Sequence, residues 1–282
     1  MPWVWINGQL IDKRQAQLPI SDHGLLFGDG VRIGWRCVQG HVVLLQAHLD
    51  DFYAAAAEQY LSIPYTPQQL QEALQQTLQV NQRLQGFGYL IATRGSGGFG
   101  PDPRKLQSCI VIWVEDYWPF PPELLTHGLH TVSVRLPYHE PRLLGHPYLV
   151  RAKWTALQRG CLEAVLINRE GGVLGTTEGS LFLRQGCQWL FPAQQWADPH
   201  ARLIQSWLRQ NGVVLHIEPV PLAQLYLAEE IMAVGASAGV VPLIRLDGHD
   251  IGSGRAGDVT TQARKFWENA TGSDYNAARL DH

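Results

Sequence analysis

Few residues in this chain are typed and spaced for chemistry, and the densest group is the run Gly95-Ser96-Gly97-Gly98-Phe99-Gly100. Successive glycine amides can cradle an anion, although a lone cluster of this kind also serves as a plain turn. Gly28-Asp29-Gly30 reads as a tight turn whose glycines admit positive φ. The 11 histidines contain no His-x-x-x-His pair and no carboxylates at helical spacing, so no metal site is expected. Cys37, Cys109, Cys161 and Cys187 stand singly, without the paired spacing of a zinc site or a disulfide framework, and read as reduced core thiols.

A folded core must position these groups, and 282 residues, 45% of them apolar, suffice for one large domain or two compact ones. Lys+Arg 22 against Asp+Glu 25 leaves a net charge of -3, which gives no footprint for nucleic acid and favours a small neutral or anionic partner. The apolar runs fall well short of the roughly 20 residues that cross a bilayer. The opening Met1-Pro2-Trp3-Val4-Trp5 lacks the pattern of a secretory signal, so a cytoplasmic location is expected.

Alternation around Asn7-Gly8 predicts a β-hairpin at the start, followed by a strand pair over 31–38 and 42–45. Leu49, Phe52, Tyr53, Ala56 and Tyr60 recur at helical spacing and predict a helix over 47–61; Thr66-Pro67 opens another that runs to about Leu84. Strands are expected at 88–93 and 109–115. The proline-dense run from Trp118 to Glu123 marks the domain boundary, because adjacent prolines hold an extended backbone. The expectation is an N-terminal α/β domain over 1–118, a linker over 119–128 and a C-terminal α/β domain over 129–282. In the latter, strands at 129–136, 163–168, 181–184, 189–192, 213–218 and 230–233 are interspersed with helices at 148–159, 201–211, 221–226 and 259–267. Both halves therefore read as α/β (α+β).

Several segments, in order, resemble the fold-type IV pyridoxal-phosphate enzymes, which include the class IV aminotransferases. Ser21-Asp22-His23-Gly24-Leu25-Leu26-Phe27-Gly28-Asp29-Gly30-Val31 is similar to the family's D-R-G-x-x-x-G-D-G-V, and Gln46-Ala47-His48-Leu49-Asp50 to its x-x-H-L-D. Arg94-Gly95-Ser96-Gly97-Gly98 resembles the R-G-S-G-G of the 4-amino-4-deoxychorismate lyase branch, whose length also suits this chain. Gly160-Cys161-Leu162-Glu163-Ala164-Val165-Leu166 is similar to G-A-D-E-A-L-L, and the stretch from Val240 to Gly248 to V-x-P-V-x-x-I-D-G. The resemblance covers nearly the whole chain and implies a two-domain aminotransferase-like architecture, most similar to the lyase and the D-amino-acid aminotransferases.

The resemblance also implies a lysine that forms an imine with pyridoxal phosphate, and here the family's spacing departs. Counted back from Glu163 without a gap, that position falls on Arg142, whose guanidinium stays protonated and forms no imine. Of Lys13, Lys105, Lys153 and Lys265, Lys153 is nearest, 153 − 142 = 11 positions on, which is about 16 Å along a helix at roughly 1.5 Å per residue. The family's phosphate arginine after H-L-D is Asp51 here. Its phosphate-binding G-I-T-R helix start resembles Pro199-His200-Ala201-Arg202, and its G-T-A-A has become Gly235-Ala236-Ser237-Ala238. The carboxylate that meets the pyridine nitrogen falls on Gly175, with Glu178 three positions away.

The resulting expectation is a class IV aminotransferase or aminodeoxychorismate lyase-like protein with a degenerate pyridoxal phosphate site and most simply no cofactor. It binds or transforms a small anionic ligand in a cleft between the domains, through Arg32, Arg142, Arg94, Gly97 and Gly98. Arg32 takes an aromatic pocket position of the family. Either Arg32 or Arg142 could instead pair with Asp51, Glu178 or Asp29, and Arg36 and Arg94 could serve strand ends or packing. Two alternatives stand: an active pyridoxal phosphate aminotransferase or lyase using Lys153, with Arg202, Glu178 and Ser237 as cofactor contacts, and a structural or interaction protein. The family resemblance implies a homodimer.

Overall fold

In the computed structural model the chain divides into two compact units, Met1–Tyr117 with Glu140–His146 and Trp118–His139 with Pro147–His282. The structure describes residues 2–97, 100–104, 106–137 and 142–272.

The first unit opens with β1 (Trp3–Ile6) and β2 (Gln9–Asp12), the hairpin that Asn7-Gly8 predicts, and both turn residues have positive φ. A short helix α1 (His23–Phe27) leads into β3 (Gly30–Val38) and its partner β4 (His41–Val42). Helices α2 (Leu45–Glu58) and α3 (Pro67–Val80) precede β5 (Gln85–Thr93) and β6 (Cys109–Glu115). The strand expected to reach residue 45 stops at Val42, because Leu44 turns into the left-handed region and Leu45 begins α2. Helix α3 ends at Val80, where the Asn81 carboxamide bonds both the N–H and the C=O of Trp3.

The antiparallel sheet runs β2-β1-β6-β5-β3-β4. Val31, Ile33, Trp35 and Cys37 alternate along β3 onto one face, where Phe52, Leu70 and Leu74 of α2 and α3 close the core. The other face carries Arg32 and Arg36. Residues 142–144 run beside β3: the Arg32 N–H donates to the Arg142 carbonyl and the Leu144 N–H to the Gly30 carbonyl, each at 2.9 Å.

The second unit contains α4 (Pro122–His127), β7 (Leu129–Arg135), α5 (Pro147–Gln158), β8 (Glu163–Ile167), β9 (Val173–Thr176), β10 (Ser180–Gln185) and β11 (Gln188–Pro192). It continues with α6 (Pro199–Gln210), β12 (Val214–Glu218), α7 (Leu222–Tyr226), β13 (Glu230–Gly235), β14 (Gly239–Leu246), β15 (His249–Asp250) and α8 (Asp258–Thr271). The sheet order is β12-β11-β10-β13-β14-β7-β8-β9, with β15 against β14. Residues 119–128, expected to be an extended linker, hold α4 instead, and Phe120 and Leu125 are buried in this unit's core.

Successive residues of β8 serve two faces. Val165 and Ile167 join the core that also takes α6 and α8, while Ala164 and Leu166 meet Ala152 and Ala156 of α5. The Trp267 indole N–H donates to His200 Nδ1 at 2.9 Å and ties α8 to α6. Among the described residues no helix is long and apolar enough to cross a membrane. Cys37 is a core thiol whose titration burial pushes up to about 11, whereas Cys187 is exposed in the turn between β10 and β11.

At the start of α3 the Thr66 hydroxyl accepts from the Gln69 N–H and the Gln69 side chain accepts from the Thr66 N–H, a complete capping box. Thr66→Ala should lower unfolding free energy by about 1 kcal/mol in urea melts, with an unchanged denaturant slope.

Candidate functional site

The second unit gathers an amine, two carboxyls and a hydroxyl. On α5, Ala152 and Ala156 turn fully inward, which sets Lys153 on the flank of the helix with its side chain 26% exposed. Its Nζ lies 3.2 Å from Glu178 Oε1 and 4.9 Å from the centre of the Phe120 ring. The Ser237 hydroxyl donates to Glu178 Oε2 at 2.8 Å. Glu178 precedes β10 and Ser237 follows β13, and these strands pair with Ser180 opposite Val234. The crossing is too close for side chains: a Cβ on Gly179 would sit 2.3 Å from the Val234 carbonyl oxygen, and one on Gly235 2.2 Å from that of Glu178.

Glu163, at the head of β8, supplies the second carboxyl and is 1% exposed. Its Oε1 accepts from the Ala164 N–H at 2.7 Å, the Thr177 N–H at 2.9 Å and the Thr177 hydroxyl. Its Oε2 is buried without a hydrogen bond. Burial pushes this carboxyl from 4.5 up to about 7; the charge of Lys153 pulls it back and that of Glu178 adds to the rise.

The residues expected to hold an anion belong to the first unit. Arg142 is paired with Glu58: its guanidinium donates to both carboxylate oxygens, at 3.1 and 2.8 Å. Arg94 is also spoken for. It donates to both oxygens of Asp29 and to the carbonyls of Gln59 and Tyr60, and so anchors the end of α2. Arg32 lies with its guanidinium 5.3 Å from the centre of the Tyr89 ring, and Asp51 is on α2. Gly97 is packed where a Cβ would strike Leu106, and Gly98 lies outside the described residues.

At the start of α6, the Asp198 carboxylate caps the helix by accepting from the Ala201 N–H at 2.7 Å. Pro199 has no N–H to offer, and the Arg202 guanidinium donates to the Ala197 carbonyl at 2.8 Å. Gly175, at φ +114°, sits at the end of β9 where a Cβ would crowd Gln195.

This two-unit architecture and its sequence agree with known proteins. The amino-transferase class IV family profile matches residues 33–246, and the chain belongs to that family. It is 31% identical over 280 residues to a Methanocaldococcus jannaschii protein provisionally named a branched-chain-amino-acid aminotransferase, covering 94% of this chain and 95% of that protein. The D-alanine aminotransferase of Staphylococcus haemolyticus is 26% identical, with 94% and 96% covered. Among solved structures, the branched-chain aminotransferase of the thermophilic archaeon Thermoproteus uzoniensis with norvaline superposes with a TM-score of 0.88 at 22% identity, covering 98% of this chain and 96% of that one.

Glu163, Thr177 and Asp198 stand outside the motifs that carry chemistry in the sequence. A carboxylate leading the apolar run Ala164-Val165-Leu166-Ile167 is a signal for a buried acid, and Asp198-Pro199 is the N-cap and first-turn proline pattern of a helix start. Since the folded carboxyl keeps a proton that the unfolded chain releases, stability owed to Glu163 is full below pH 4.5 and is lost as pH rises to about 7. Unfolding free energies measured across that window should fall by up to about 1.4 kcal/mol per pH unit on this residue's behalf. Glu163→Gln should flatten the slope; a slope equal to wild type would refute the assignment.

Proposed function

We propose that this class IV family member binds small carboxylate-bearing molecules of the amino-acid and oxo-acid kind, and that it acts without a pyridoxal phosphate imine. Arg142 carries the reading. It takes the sequence position of the imine lysine and its guanidinium is clamped by Glu58. The cofactor's other contacts fit poorly too. The Asp198 carboxylate already holds an amide that a phosphate would need and would repel it, and Gly175 offers no carboxylate to a pyridine nitrogen. For an anion there remain Arg32, which pairs with no carboxylate among the described residues, and Lys153, whose ion pair with Glu178 the ligand would have to displace. The names of the relatives, all amino-acid aminotransferases, suggest the ligand class.

A second reading has its own support. The half-buried amine of Lys153, set against Glu178 and Ser237, is a candidate imine partner for pyridoxal phosphate, which would make the protein an active aminotransferase or lyase. In both readings the protein works as a homodimer, for which the exposed Ile20, Leu25 and Phe27 offer apolar surface.

Addition of pyridoxal phosphate to the purified protein, borohydride reduction and peptide mass mapping separate the two. The expected result is no stoichiometric labelling, in wild type and equally in Arg142→Lys, because Asp198 and Pro199 still close the start of α6. Stoichiometric labelling of Lys153 together with amino transfer from D-alanine or a branched-chain amino acid would establish the second reading. Sedimentation at low micromolar concentration should give a dimer; a monomer would count against that part of the proposal.

A further inference from the structure

Glu163 is a buried acid of the second unit that lies beside Lys153 and Glu178. Three donors fix its Oε1, whereas Oε2, shut off from water, has no hydrogen-bond partner. The charges that act on it come from α5, through Lys153, and from the turn after β9, through Glu178. Thr177 is the polar neighbour that joins the two carboxyls, since it donates to Glu163 and precedes Glu178 in the chain.

Charge balance then sets what this cluster can do. With both carboxyls ionised and Lys153 protonated, the net charge is one negative. A ligand carboxylate that takes the place of Glu178 on the Lys153 ammonium would raise it to two in a place only partly open to water. The uptake of one proton restores the balance.

We infer that Glu163 stores the proton that allows a small carboxylate to replace Glu178 on the Lys153 amine. This inference rests on the small-carboxylate reading above and adds a site and a regulator to it. Glu163 is a positioning residue: it touches no ligand and acts through the two charges beside it. Glu178, once displaced, keeps the Ser237 hydroxyl as its donor. No covalent bond forms or breaks, and the proton comes from solvent. The raised titration of Glu163, up to about 7, puts the coupling near neutral pH.

Propionate is a suitable probe because it has no carbonyl carbon open to imine formation. The experiment follows Glu163 and Lys153 by NMR in full-length protein labelled at the glutamate carboxyls and lysine amines, across pH, with and without propionate. Glu163 should titrate near 7 in the free protein, and its midpoint should rise by about half a unit or more when propionate is bound. Across the interval between the free and the bound midpoint, affinity for propionate should fall as pH rises, by about threefold in all for a half-unit rise and about tenfold for a full unit, and should stay level in Glu163→Gln. Lys153→Met should remove the binding. A free-protein midpoint near 4.5, or a midpoint that does not move while Lys153 reports binding, overturns the inference. Propionate that binds and leaves both residues unchanged overturns it too, but leaves the small-carboxylate reading standing. The absence of binding at any pH defeats both. Should Glu163→Gln fail to fold, the wild-type titration decides alone.

Discussion

Everything in the candidate site depends on one steric constraint, the passage of the Glu178-Gly179 turn across the end of β13 with no room for a side chain on either backbone. Because the contact is backbone on backbone, any Cβ there would push β10 and β13 apart or shift their register. Glu178, Ser237 and Thr177 ride on that register, and through Thr177 so does the anchored oxygen of Glu163. Lys153 reaches the same place from a helix held by two alanines, whose small size lets α5 lie close to β7 and β8. Rigid backbone therefore supplies the carboxyls, and a flexible side chain supplies the amine.

The architecture owes little to these polar groups. Trp35, Phe52, Phe182, Trp189 and Trp267, among the largest fully buried side chains, belong to the two principal cores and lie outside the polar cluster. Apolar burial at roughly 25 cal/mol per Å² stabilises such cores whatever stands at the site. A class IV fold can thus persist whatever side chains stand at positions such as Arg142 and Asp51, because both are half-buried and lie outside the two principal cores.

What could be read in advance follows the same division. The hairpin at Asn7-Gly8, the strand over 109–115 and the helices over 148–159 and 201–211 lie within a residue or two of where apolar periodicity and caps put them. Strand β14 went unforeseen because Gly239 and Pro242 interrupt its pattern, yet Pro242 pairs with Met232 inside the sheet. Side-chain partners were less legible. Glu58 is 84 positions from Arg142 and exposed, so no local spacing announces their pairing. The cluster of Lys153, Glu163, Glu178 and Ser237 likewise joins a helix, a strand and two turns, and it is defined only once strand register is known.

The return of residues 142–144 to the edge of β3 carries a consequence for how the protein is made. The first unit is discontinuous in sequence, so it cannot be completed while only its first 117 residues have left the ribosome. At roughly 5–20 residues per second, the missing edge segment emerges only seconds later, after β7 of the second unit has already been synthesised. Until then the Gly30 end of β3 presents unpaired backbone groups of the kind that invite pairing with other strands. The nascent chain must therefore hold an incomplete sheet through the synthesis of part of its neighbour, and the order of assembly is interleaved instead of running unit by unit.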